Sequence, residues 1–143
     1  MHDNRALVRK CLDCFNGHQV DDGFEVFAED LVNHSASPES QGRAGLSLIW
    51  EKIWAAFPDG VWTCQDMVSE GDRVVCRVHM RGTQSGPLRL ACMPLPASGR
   101  VLDSEGIYIF RLLKGEIVEL WFHRDEVRML RQLGHLPLVG AEA

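Results

Sequence analysis

Residues 101–123 read VLDSEGIYIFRLLKGEIVELWFH, and no other part of the chain is so plainly built as paired strands. Apolar residues recur with the two-residue period of an extended backbone over Val101 to Leu112 and again over Glu116 to His123. Lys114-Gly115 between them suits a tight turn. Two long strands joined so closely pair antiparallel. Upstream, Val61 to Val68 and Arg73 to Arg81 carry the same period on either side of Gly71-Asp72, so the second half of the chain is a succession of antiparallel strands.

The first half has the helical period instead. Leu7, Val8, Cys11, Leu12 and Phe15 mark one face of a helix that starts at Asp3 or Asn4 and stops at Gly17. A shorter helical stretch around Phe24 and Phe27 runs into the extended Leu31-Val32-Asn33-His34, and Ser35 to Gly42 is a polar loop. Leu46, Ile49, Trp50, Ile53 and Phe57 lie along a second long helix, which Pro58-Asp59-Gly60 ends because proline cannot continue its hydrogen bonding. A last helix is expected over Asp125 to Leu133. Pro87 to Arg100, with three prolines and Gly99, reads as an irregular strand or a loop over a pocket mouth, since each proline removes a ladder donor. Helices first and strands afterwards, without repeat or linker, predict one α+β domain over 1–143.

Composition narrows the function. The 143 residues are 45% hydrophobic, enough for one core, and the formal charge of −5 with no basic run argues against a nucleic-acid ligand. No apolar stretch is long enough to span a bilayer and the N-terminus enters a charged helical pattern, so a cytoplasmic protein is expected. Five scattered cysteines fit reduced thiols. Cys11 and Cys14 spell C-x-x-C inside a helical pattern with no second pair, so no metal site is expected.

The order of these pieces resembles the cone-shaped fold of nuclear transport factor-like proteins, and several stretches are similar to SnoaL-like polyketide cyclases. The resemblance covers nearly the whole chain. It rests on Val32-Asn33-His34, Ala56-Phe57-Pro58-Asp59-Gly60, Glu70 to Val75, Arg81-Gly82-Thr83 and Pro96 to Arg100. Its most specific part is Gly106 to Arg111, then Gly115 to Trp121, Asp125 and Met129 to Gly134. Where many relatives read Gly-Thr-His, this chain reads Gly82-Thr83-Gln84, an amide in place of a titratable imidazole. The resemblance implies a curved antiparallel sheet packed on the N-terminal helices around a small-molecule pocket. It also implies an intramolecular aldol ring closure of a polyketide-like substrate, run by a pocket carboxylate without metal or cofactor.

Such a carboxylate, with a pKa of about 3.9 in water, becomes a useful proton shuttle when apolar walls bury it. Asp125 is the expected acid and base. It follows the last strand four positions after Trp121, which period two puts on the same face. An N-cap of the following helix is the competing role for Asp125, and His123, also on the face of Trp121, is the substitute. Asn33 and His34 follow an apolar pair and begin a strand, where the family places residues that bind or polarise a substrate carbonyl, while His34 should face the other way. Arg77, His79 and Arg81 form a polar row on one strand, either solvated or lining the cavity. Tyr108, the single tyrosine, is a pocket hydrogen-bond donor or core packing. Trp50 is a candidate wall residue, though aromatics at its spacing usually pack a core. An apolar outer sheet face would need covering, so a homodimer or larger homo-oligomer is expected. An isomerase, dehydratase or epoxide-opening enzyme on the same fold is one alternative, and a small-molecule binding domain without proton chemistry is the other. It predicts an exposed Asp125 and a wholly apolar cavity.

Overall fold

The computed structural model describes residues 3–20, 24–90 and 92–136. Helix α1 (Asn4–Asn16) starts where Asp3 accepts hydrogen bonds from the backbone N–H groups of Arg5 and Ala6, and Gly17 closes it. A single 3₁₀ turn, Phe24–Val26, leads into β1 (Phe27–Asn33), and α2 spans Gly42–Ala56. Strands β2 (Val61–Glu70) and β3 (Arg73–Thr83) follow. After them come the short β4 (Leu88–Leu90) and β5 (Met93–Leu95), the long β6 (Val101–Leu113) and β7 (Glu116–Arg124). Helix α3 is Glu126–Gln132.

Five strands form one sheet in the order β1-β7-β6-β3-β2. The meander β2-β3-β6-β7 is antiparallel as expected, but β1 joins the far edge of β7 in parallel, so the sheet is mixed. The expected curved sheet packed on the N-terminal helices is present, with β1 as one parallel strand added at the edge of the antiparallel meander. Strand β1 precedes a long helical crossover, and only a hairpin-type connection obliges antiparallel pairing. The segment after Pro87, ambiguous in the sequence, is a separate hairpin of β4 and β5.

Alternation along β3 separates two faces. Val74, Cys76, Val78 and Met80 are buried against α1 and α2, joined by Leu102 and Phe110 of β6 and by Ile117 and Leu120 of β7. Arg77, His79 and Arg81 point outward. Aromatic rings knit the helices to this inner face: Trp50 lies 5.2 Å from Phe15, 5.1 Å from Phe24 and 5.5 Å from Phe27 between ring centroids. These separations suit edge-to-face attraction in addition to area burial. Cys11 and Cys14 are buried thiols on α1 outside any disulfide, and burial pushes both above the usual thiol range, which keeps them unreactive. Helix α3 is tied to β6 through Gln132, whose side chain accepts from the Asp103 N–H and donates to its carbonyl. That tie fixes the end of β7, and with it the mouth of the cavity described next.

Candidate active site

A cavity of about 580 Å³ opens between α2 and the sheet. Leu46, Ile49, Trp50 and Ile53 of α2 form one wall, because residues three and four apart share a helix face. Tyr108 on β6 and Leu120 and Phe122 on β7 form the opposite wall. Asn33 and Ser35 close one end, and His123, Arg124, Asp125, Glu126 and Val127 surround the mouth.

Tyr108 is placed by register. It lies opposite Phe122 across the β6–β7 ladder, their rings stacked at 4.0 Å. Gly106 makes that stack possible, since a Cβ there would come within 2.4 Å of the Phe122 ring. Burial pushes the Tyr108 phenol above its usual range, so it stays a neutral donor at any physiological pH. Among the described residues its hydroxyl has no hydrogen-bond partner.

Asn33 ends β1 and is only 5% exposed. Both its backbone groups are held by Gln41, which accepts from the Asn33 N–H at 2.8 Å and donates to the Asn33 carbonyl at 2.8 Å. The Asn33 side-chain oxygen accepts from the Ser35 N–H at 3.0 Å, while Ser35 exchanges hydrogen bonds of 2.8 and 2.7 Å with the backbone of Phe122. The Asn33 amide nitrogen has no partner among the described residues and is left to serve the cavity. Two neutral donors therefore serve one largely apolar space, where a hydrogen bond is stronger than in water.

The mouth departs from expectation. Asp125 does line the cavity, but it is exposed and N-caps α3, accepting from the Arg128 N–H at 3.0 Å. The expected carboxylate buried against aromatic walls is therefore corrected: Asp125 is solvent-exposed. The cause is local: β7 ends at Arg124, and the chain turns into a helix whose first donors need a cap. His123 is exposed at the same mouth.

Trp121 is on the other face of β7. It stacks on His34 at 4.4 Å with the planes 5° apart, and Arg73 lies 5.3 Å from its ring. The inward residues of β7 are Leu120, Phe122 and Arg124 instead. Both faces of this strand carry aromatic side chains, so its periodicity gives no parity. His34 does face away from Asn33, and shares Glu119 with Arg111. Those two partners, His34 first, hold the Glu119 carboxyl below the usual range.

Arg77 and His79 are far from the cavity walls. Arg77 pairs with Asp66 at 2.6 Å and Glu105 at 2.7 Å, and His79 meets Asp103 at 2.6 Å, all on the outer sheet face. Their own cross-strand acids explain the polar row, so neither joins the candidate site. Trp50 is both core and cavity floor. Five of the eight residues singled out from the sequence, Asn33, Trp50, Tyr108, His123 and Asp125, thus meet at one cavity. Sequence reasoning missed Gln41, Ser35, Phe122 and Arg124. Gln41 and Ser35 lie in a polar loop whose hydrogen bonds leave no periodic trace.

The family model of SnoaL-like polyketide cyclases matches residues 5–133. The chain belongs to that family. Among solved structures, wild-type IdmH from Streptomyces antibioticus, named there as a proposed polyketide cyclase, is 31% identical. The match covers 93% of this chain and 99% of IdmH with a TM-score of 0.78. TsrD from Streptomyces laurentii is 26% identical over 95% of this chain and 100% of its own, with a TM-score of 0.83. A SnoaL-like polyketide cyclase from Agrobacterium tumefaciens is 25% identical, covering 94% and 100%, with a TM-score of 0.76. No curated protein matches. This family carries the nuclear transport factor-like fold, in agreement with the expectation from the sequence. Among the described residues, no helix is long and apolar enough to cross a membrane.

Gln84 is the amide that stands where the resemblance implies a histidine. It is fully buried. Its amide nitrogen donates to the carbonyls of Gly86 at 3.2 Å and Pro96 at 3.1 Å, and its oxygen accepts from Ser98 Oγ at 2.6 Å. It is outside the walls of the cavity and pins the base of the β4–β5 hairpin.

Proposed function

We propose that the cavity closes a ring in a polyketide-like small molecule by an intramolecular aldol reaction, without metal or cofactor. The observation that supports this most is the pair of neutral donors without partners among the described residues, the Asn33 amide and the Tyr108 hydroxyl, lining one partly open cavity with apolar walls and a carboxylate at its mouth. Asp125 takes a proton from the carbon between two substrate carbonyls. The enolate oxygen that forms receives hydrogen bonds from Asn33 and Tyr108. The enolate carbon attacks a second carbonyl, forming the C–C bond, and the resulting alkoxide recovers the proton from Asp125. His123 at the same mouth is the alternative proton carrier. A substrate seated against Trp50 and Phe122 would cover the mouth and withdraw Asp125 from water.

One observation favours a second reading, a binding domain without proton chemistry: Asp125 is exposed and already occupied as a helix cap. The cavity is not wholly apolar, which that reading requires. Incubation with an aryl-substituted poly-β-ketone ester separates the two. Ring-closed product forming faster than in buffer supports the cyclase, and binding without conversion overturns it.

We further infer that two copies pair through their sheets, because Val32, Val68 and Ile107 are exposed on the outer face, which also carries the half-buried Trp121. A monomer in sedimentation at micromolar concentration would contradict this. The expected cytoplasmic location stands as part of the same proposal.

A further inference from the structure

A second concavity, of about 690 Å³, adjoins the first and shares Ile49, Ile53 and Arg124 with it. Its floor is apolar: Leu88 and Leu95 of the hairpin, flanked by Pro87, Pro94 and Pro96. Its polar groups are all cationic, Lys52, Arg89 and Arg124, and no acid lines it. Arg124 also lies 3.5 Å from Glu126, but Lys52 and Arg89 have no ion-pair partner among the described residues.

The hairpin that walls this chamber is held in place before any ligand arrives. Gln84 binds both of its ends through Gly86 and Pro96. The N–H groups of Ser85 and Gly86 donate to the Ala56 carbonyl at the end of α2, at 2.9 and 3.2 Å. Gly86 sits so close to α2 that a Cβ would approach the Ala55 carbonyl to 2.4 Å. A wall fixed at this many points costs little ordering on binding.

We infer that this chamber is a subsite for an oxyanion carried on an apolar arm of the substrate. The arm lies along Ile49, Ile53 and Leu88 while the carbonyl-rich part occupies the inner cavity. Charge complementarity selects the anion, because Lys52 and Arg89 would form ion-paired hydrogen bonds with it, stronger than those a neutral oxygen accepts, while a cationic group would be repelled. The inference rests on the inner cavity being the substrate site. A free carboxylate and a phosphate ester would both satisfy it.

Calorimetric titration of the full chain with decanoate, decyl phosphate, decanol and decyltrimethylammonium tests it. Either anion should bind at least about tenfold more tightly than decanol, with the preference shrinking at high salt. The tighter of the two anions identifies the source. Lys52→Gln with Arg89→Gln, both exposed positions that leave the wall intact, should abolish the preference while decanol binding persists. Equal binding of all four probes, or a preference that survives the double substitution, overturns the inference. The preference in a protein that converts no poly-β-ketone would refute ring closure and leave the subsite standing. Conversion without the preference would do the reverse.

Discussion

At the scale of single residues, Tyr108 and Asn33 carry the site because each has a fixed place and a spare donor. Tyr108 is locked between Phe110 and Phe122, with ring separations of 5.2 and 4.0 Å. Replacing it by phenylalanine keeps the stack and removes only the hydroxyl. Tyr108→Phe should therefore fold normally and lose about 10²-fold in kcat of ring closure, with KM nearly unchanged, if its donor acts on the developing enolate. Steady-state kinetics beside a melting curve check this; an unaltered kcat would make the tyrosine a packing residue. Asn33 was legible through the family resemblance and Tyr108 as the single tyrosine of the chain, with pocket donor and core packing both open for it. The helix-capping geometry of Asp125 was legible too, but the choice between cap and buried acid was not. Burial depends on where β7 stops, and no residue pattern marks that end. Trp121 shows the same limit: with Phe122 beside it, either parity buries an aromatic ring.

At the scale of elements, the β4–β5 hairpin was the least readable part of the chain and is among the most consequential. Three prolines left an irregular strand and a loop both open, and Pro94 sits within β5, opposite Arg89 in a two-stranded ribbon whose edges are free of ladder obligations. What fixes the hairpin is Gln84, a side chain 0% exposed with three hydrogen bonds. Neutral imidazole offers one donor and one acceptor and could not meet the same three partners. Gln84→Ala should destabilise the protein by about 2–4 kcal/mol, since it leaves buried carbonyls unpaired as well as opening space. Urea denaturation measures this, and a loss below about 0.5 kcal/mol would show that the clamp matters little. The long elements, α1, α2 and the β2–β3 and β6–β7 ladders, were readable within a few residues because their periods run for many turns or pairs. The parallel pairing of β1 was not, because pairing partners across a helical crossover leave no local signal.

At the scale of the whole molecule, the sheet has one apolar face that builds the core and one face crossed by ion pairs. Asp59, Asp103 and Glu119 are among the carboxyls that stand below their usual range. Asp59 is held by the Thr83 N–H and hydroxyl, Asp103 by His79 and then Arg81, and Glu119 by His34 and then Arg111. Each binds its proton more weakly folded than unfolded, so its contribution is complete above the unfolded-state pKa of about 4. It is lost as pH falls through the lower folded value. The melting temperature should hold steady above pH about 5 and fall progressively below about 4, less steeply in Asp59→Asn. A thermal melt series across that range tests this, and a melting temperature that stays flat into acid would contradict it.

The central claim is that a carboxylate at the cavity mouth moves the proton in ring closure. Asparagine caps a helix about as well as aspartate, so Asp125→Asn keeps the bond from the Arg128 N–H and removes only the proton acceptor. The most direct measurement is the single-turnover rate of ring closure in this variant beside the unaltered protein. A fall of about 10²- to 10⁴-fold at unchanged melting temperature is the predicted result. Ring closure at the original rate would contradict the account.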